Sequence, residues 1–179
     1  HKVIDTLETL NKQHPQSQII VSALADLNLA EGNDKHALKA YKKLATLIKN
    51  GSTLQAKTLH QIGFAQYRLG NIKEAIDSLK KALEHNPDFN AANNMLAYLY
   101  AQEGTNLETA LELVEKTLKG TPQNTAFLDT KATILIKLNR NRDALVTVKQ
   151  ALQLDPLSSA LRKRAAELKS MALTAATQQ

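Results

Sequence analysis

Two rows of side chains carry the recognition chemistry in this sequence: His60, Phe64 and Arg68, and then Asn94, Tyr98 and Gln102. Within each row the residues are four apart, which places them on one face if the segment is helical. An aromatic ring flanked by hydrogen-bonding groups supplies contact area and partners for a peptide backbone. Such rows suit contact with a peptide; the other reading is that Phe64, Tyr67 and Tyr98 pack between neighbouring helices.

Catalytic and cofactor patterns are missing. The chain contains no G-x-x-x-x-G-K-[ST], G-x-G-x-x-G, H-E-x-x-H or G-x-S-x-G run. His14, His36, His60 and His85 fall on separate segments without ligand spacing, so no metal or cofactor is expected. Glu108, Glu112 and Glu115 share a helical face that could hold a cation or an acid/base pair. Lys116 and Lys119 stand four residues after Glu112 and Glu115, so this face reads as a solvated one with i, i+4 pairs. Asn50-Gly51-Ser52 matches a glycosylation acceptor but reads as a turn after a long helix. No enzyme is expected.

The elements that must position the two rows follow from composition and periodicity. The chain has 179 residues, 43% hydrophobic, with 4% aromatics and no cysteine. That is enough apolar material for a core, and it excludes disulfides, thiolate metal sites and a cysteine nucleophile. No apolar run approaches the ~18–20 residues of a membrane span, and the start has no signal-peptide pattern. Strictly alternating β-branched runs are missing, while Ile72, Ala75, Ile76, Leu79, Ala82 and Leu83 recur at helical spacing. The chain reads as all-α.

The helices repeat. Pro87, Pro122 and Pro156 are 35 and 34 residues apart, and Ala75, Ala110 and Ala144 each lie twelve before one of them. Gly32, Gly70, Gly104 and Asn139 mark the ends of first helices, because Gly and Asn accept the left-handed backbone of a helix cap. Small residues such as Gly63 and Ala75, or Ala97 and Ala110, let the two helices of a unit approach closely. The units run 18–55 with a long second helix reaching Lys49, then 56–89, 90–124 and 125–158. Residues 1–17 read as the second helix of a truncated preceding unit, and 159–179 as a capping helix and tail. In the last helix Leu161, Ala165, Leu168 and Ala172 form one apolar stripe on a charged helix. Val3, Ile4, Leu7 and Leu10 have no comparable cover, so more repeats are expected upstream in the natural protein. Self-association through this bare stripe is a further expectation.

The stretch Leu59–Pro87, with Ile62-Gly63, Gly70, Ala75, Ala82 and Pro87, resembles the tetratricopeptide repeat (TPR) family. It departs at Gln66, where the family has a large apolar or aromatic residue; Asn28, Asn93 and Lys131 are similar departures in other units. The resemblance covers nearly the whole chain. It implies a right-handed α-solenoid of antiparallel helix pairs, a TPR-like superhelix, whose first helices line a concave groove for a peptide or helix of a partner protein. By register the groove side chains would be Lys57, His60, Gln61, Phe64, Tyr67 and Arg68; Asn94, Met95, Tyr98 and Gln102; and Asp129, Thr130, Thr133 and Lys137. Ser22, Asp26 and Leu29 hold the same places in the first unit. One family subtype clamps a terminal carboxylate of chaperone tails with Lys and Asn four apart. Here those places read Ser22/Asp26, His60/Phe64, Asn94/Tyr98 and Asp129/Thr133, so no such clamp is expected.

Net charge is +6 with neutral histidines, and residues 125–179 carry nine basic against four acidic groups. The alternative reading is a binder of nucleic acid or an anionic surface. Against it, Arg162, Lys163 and Arg164 are consecutive and fan over roughly 200° of a helix, so they share no single face. Phe127 is the only aromatic in that region, which leaves no stacking platform for bases. A further alternative is an accessory region of a larger enzyme or of an envelope or secretion assembly protein. The compartment, cytoplasmic or envelope, is not written in the sequence.

Overall fold

In a computed structural model, residues 2–48 and 53–176 are described. Among these residues the secondary structure is ten α-helices: α1 Lys2–Gln13, α2 Gln18–Ala30, α3 Asp34–Leu47, α4 Thr53–Arg68, α5 Ile72–His85, α6 Asn90–Glu103, α7 Leu107–Gly120, α8 Thr125–Lys137, α9 Asn141–Leu154 and α10 Ser159–Ala176. They fall into two compact units, one up to Ala92 and one from Asn93 onward. In the first unit α1 packs on α2, α2 on α3, α3 on α4 and α4 on α5. In the second, α7 packs on α8, α8 on α9 and α9 on α10.

Two kinds of turn punctuate the chain, each set by a residue type. Helices α2, α4, α6 and α8 end on Gly32, Gly70, Gly104 and Asn139, whose φ values are +80°, +80°, +66° and +59°. The left-handed residue lets the next amide reach back to the last turn: Asn33 N to Asn28 O, Asn71 N to Gln66 O, Thr105 N to Tyr100 O and Arg140 N to Leu135 O, at 2.8–3.0 Å. These bonds satisfy carbonyls that a plain helix end would leave open. The other turn is built on proline. The residue before Pro15, Pro87, Pro122 and Pro156 accepts a bond from the amide two positions after the proline, as in Ser17 N to His14 O at 3.0 Å. Proline at the second place of such a turn is preset for it and cannot extend the helix before it.

Small residues set the separation within pairs. A Cβ built on Gly63 would lie 3.0 Å from Leu79 Cγ and 3.2 Å from the Ala75 carbonyl oxygen. Ala97 and Ala110 are likewise fully buried. The core of the first unit gathers Val21, Ala25, Leu29, Ala37, Tyr41, Leu44, Ile48, Ile62 and Ala65. In the last helix Leu161, Ala165 and Leu168 of the stripe read from the sequence are buried; the side chain of Ala172 lies outside the described ones.

Departures from the usual apolar pattern are accommodated by hydrogen bonds. Asn28 is buried and its Nδ2 donates to Leu24 O at 2.8 Å. Gln66 is buried and its Oε1 accepts from Ser78 Oγ at 2.7 Å. Lys131 reaches Glu115 on the neighbouring helix at 2.8 Å, a pairing across helices that the i, i+4 reading of the glutamates did not include. One expectation fails: the second helix of the first unit does not continue through Ile48, and Lys49, to which it was read, lies outside the described residues. α3 stops at Leu47, and Ile48 is extended at φ −89°, ψ 139°. There Ile48 buries its side chain in the core, which a continued helix would have turned elsewhere. Residues 49–52, with the Asn50-Gly51-Ser52 pattern, lie outside the described residues.

Candidate functional site

In the first unit an open cleft of about 370 Å³ lies between α2 and α4. A second hollow of about 400 Å³ adjoins it and shares Ser22, Asp26, Leu44 and Leu54. Five of the groove residues expected from the sequence line the cleft, three of them on α4: Lys57, His60 and Gln61. Ser22 and Asp26 join them from α2. The apolar lining comes from Leu44, Leu54 and Phe89, and from Ile19 in the adjoining hollow. Ile19 is 83% exposed and Leu54 44% exposed, unusual for large apolar side chains that flank one hollow.

A chain of hydrogen bonds runs along the floor. Tyr41 Oη donates to Asp26 Oδ1 at 2.6 Å, and Gln61 Nε2 donates to Tyr41 Oη at 3.2 Å. His60 Nδ1 lies 3.1 Å from Gln61 Oε1, which favours the tautomer with its hydrogen on Nδ1. At the far end Ser22 Oγ is 3.5 Å from Asp26 Oδ2, a weak contact. The His60 ring meets Phe89 edge-on at 5.2 Å between centroids. Burial lowers the pKa of His60 below its ordinary value, and the bond to Gln61 offsets part of this. Burial raises the Tyr41 phenol well above its usual value; the bond to Asp26 and its negative charge add to the rise, and Gln61 opposes it. Near neutral pH the floor thus presents a protonated phenol, a neutral imidazole, an amide and a single carboxylate. Such a set orients a polypeptide by hydrogen bonds.

The other expected groove residues are placed differently. Phe64 is half-buried against the core, with the Arg68 guanidinium 5.8 Å from its ring centroid. Arg68 also donates from Nη1 to Leu29 O at 3.1 Å and sets Nε 3.1 Å from Asp34 Oδ1. Phe64 and Arg68 thereby tie the α2–α3 turn to α4. Leu29 is buried in the core and does not face the cleft. In the second unit Gln102 and Lys137 are exposed, while Asn94 and Tyr98 are half-buried. The Asn94 Oδ1 atom is buried without a hydrogen-bond partner. Thr130 is buried and bonds back to Ala126 O. Asp129 and Thr133 receive Arg164 of α10: its Nη1 pairs with Asp129 Oδ1 and lies 3.1 Å from Thr133 Oγ1.

Sequence reasoning did not single out Tyr41, Leu44, Leu54, Phe89 or Ile19. For Tyr41 a signal existed: it stands where the later repeats have Leu79, Val114 and Val148. All three are fully buried, so a hydroxyl at this place needs polar partners. Among the described residues no group of three or more His, Asp or Glu side chains comes together as a metal site. Among them also, no helix is long and apolar enough to cross a membrane.

Residues 56–89 match the family model described as tetratricopeptide repeat. No curated protein matches the chain by sequence. Among solved structures the chain is similar to MamA, with a TM-score of 0.74 at 22% identity over 86% of each chain. It is also similar to MamA from residue 41 to the end, from Desulfovibrio magneticus RS-1, with a TM-score of 0.78 at 16% identity over 87% of this chain and 85% of that one. A third likeness is to YrrB, described as a TPR protein with an unusual peptide-binding site: TM-score 0.74, 16% identity, 93% of this chain and 82% of that one. At these identities the likeness is one of fold.

Proposed function

Since residues 56–89 are a tetratricopeptide repeat and the chain has the helical solenoid fold of TPR proteins, we propose that it is a non-enzymatic scaffold holding a peptide or helix of a partner protein. The observation that carries this is the α2–α4 cleft, where exposed Ile19 and Leu54 flank the Asp26–Tyr41–Gln61–His60 network. Apolar anchors beside fixed polar groups are what a peptide site needs, because the rings and alkyl groups supply area and the polar groups supply register. Lys57, His60 and Gln61 remain the contact residues on α4. The peptide-binding site named for YrrB lends support by analogy of fold. Asp26 stands at one of the places where a chaperone-tail clamp needs a cation or an amide, so a terminal carboxylate is repelled there.

The reading as a nucleic-acid binder draws less support. Of the cations in residues 125–179, Arg140 pairs with Asp143, Arg162 donates to Pro156 O and Arg164 pairs with Asp129. Groups held this way are poorly placed to track a phosphate backbone.

The test is a phage-displayed peptide selection on the protein, followed by affinity measurement with Ile19→Asp and Leu54→Asp. Selected peptides should lose at least tenfold in affinity to both variants, with helicity unchanged. Peptides that bind both variants as they bind the parent would remove the cleft from the proposal.

A further inference from the structure

On the other side of the first unit α1, α2 and α3 enclose a niche of about 320 Å³. The second unit has a niche of about 330 Å³ enclosed by α7, α8 and α9. The two occupy the same place in the repeat. A shift of 107 positions, the separation of Pro15 from Pro122, carries Glu8 onto Glu115, Lys12 onto Lys119 and Val21 onto Leu128. The same scaffold is therefore seen twice, with different chemistry.

In the second niche Lys131 projects from α8 and meets Glu115 at 2.8 Å, so its central charges neutralise each other. The wall of α9 contributes Gln150. In the first niche Leu24 stands where Lys131 does, and the floor of Val21, Leu24 and Ala40 is apolar. Its α3 wall carries His36, Lys39 and Lys43, where α9 has Asp143, Val146 and Gln150. Lys43 is held in place, donating from Nζ to Asn11 Oδ1 at 2.8 Å. An ammonium has three donors, so two remain. The ionisable groups facing the niche are Glu8 against Lys12, Lys39, Lys43 and His36, a net positive lining over an apolar floor. The repeat alone does not require this, because the second niche keeps the shape with only Lys119 beyond its Lys131–Glu115 pair and no cation on its third wall.

We propose that the α1–α2–α3 niche binds a small organic carboxylate: an anionic head at Lys39 and Lys43, and a short apolar stem on Val21, Leu24 and Ala40. The volume lies at the small end for ligand pockets, which limits the stem to a short chain. Lys39 and Lys43 are four apart on α3 and share a face, so each ammonium can take one oxygen of the carboxylate.

Octanoate serves as the probe, with 1-octanol and octylammonium as controls of matched stem, in amide-resolved NMR titrations of the whole chain. Octanoate should shift amides near Glu8–Lys12 and Lys39–Lys43, and the two controls should shift them far less. Lys39→Val with Lys43→Gln, the chemistry of the second niche, should weaken octanoate about tenfold, equivalent to about 1.4 kcal/mol. Leu24→Lys, a substitution the second niche shows the fold accepts, should weaken octanoate by filling the stem's place on the apolar floor with a longer, polar side chain. The proposal is overturned if octanol shifts the same amides equally, if octanoate leaves them unmoved, or if the variants bind octanoate like the parent.

Discussion

Replacing Tyr41 with Phe isolates one hydroxyl at the centre of the cleft floor. The ring is 1% exposed and its packing survives the change. What is lost is the bond to Asp26 at 2.6 Å and the acceptor for Gln61 at 3.2 Å. A hydrogen bond to a charged partner contributes about 1.5–3 kcal/mol, and the exposed side of Asp26 lets water replace part of it, so we expect a loss of about 1.5 kcal/mol near pH 7. The loss should depend on pH. The folded phenol titrates above its unfolded value of 10.0, so its contribution is complete below pH 10 and declines as pH rises toward the folded value. At pH 11 the unfolded phenol is mostly ionised, which lowers the stability of the parent by about 1 kcal/mol more than at pH 10, whereas the Phe variant lacks this decline. Urea unfolding at pH 8, 10 and 11 reads the difference between the two proteins, with lysine titration common to both. A gap of about 1.5 kcal/mol at pH 8 should narrow by about 1.4 kcal/mol and all but close at pH 11. Equal stability at pH 8, or a gap that stays constant to pH 11, would refute the assignment of Tyr41 to a buried bond with Asp26.

Two other substitutions probe how the helices are joined. Gly63→Ala forces a methyl against Leu79 Cγ and the Ala75 carbonyl, and overpacking of this kind should cost about 1–3 kcal/mol in urea unfolding; an unchanged midpoint would contradict the close approach of α4 and α5. Arg68→Met keeps the stem over Phe64 but removes the contacts to Leu29 O and Asp34. It should cost about 1 kcal/mol and speed amide exchange at Asn33, and Arg68→Lys should not restore protection, since one ammonium cannot reproduce the guanidinium fork.

The helical organisation was legible because it rests on local rules. Periodic apolar residues, a left-handed residue at Gly32, Gly70, Gly104 and Asn139, and a proline after α1, α5, α7 and α9 each act within one or two turns of chain. The one misjudged helix end, at Leu47, shows the limit of those rules. Ile48 leaves the helix because the core of α2, α3 and α4 has a place for it, and that place is made by residues distant in sequence.

The candidate site was legible only in part, for the same reason. Register placed Lys57, His60 and Gln61 on the open face, but it did not tell which polar side chains the protein would bind itself. Arg68 reaches a carbonyl 39 residues away, and Arg164 reaches Asp129 at a separation of 35. Tyr41 finds Asp26 across 15 residues and Gln61 across 20. Sequence periodicity fixes which face of a helix a side chain occupies. Whether that face meets solvent, a partner or another helix is decided by the distances between packed helices, and these emerge only when every side chain between them has found its volume.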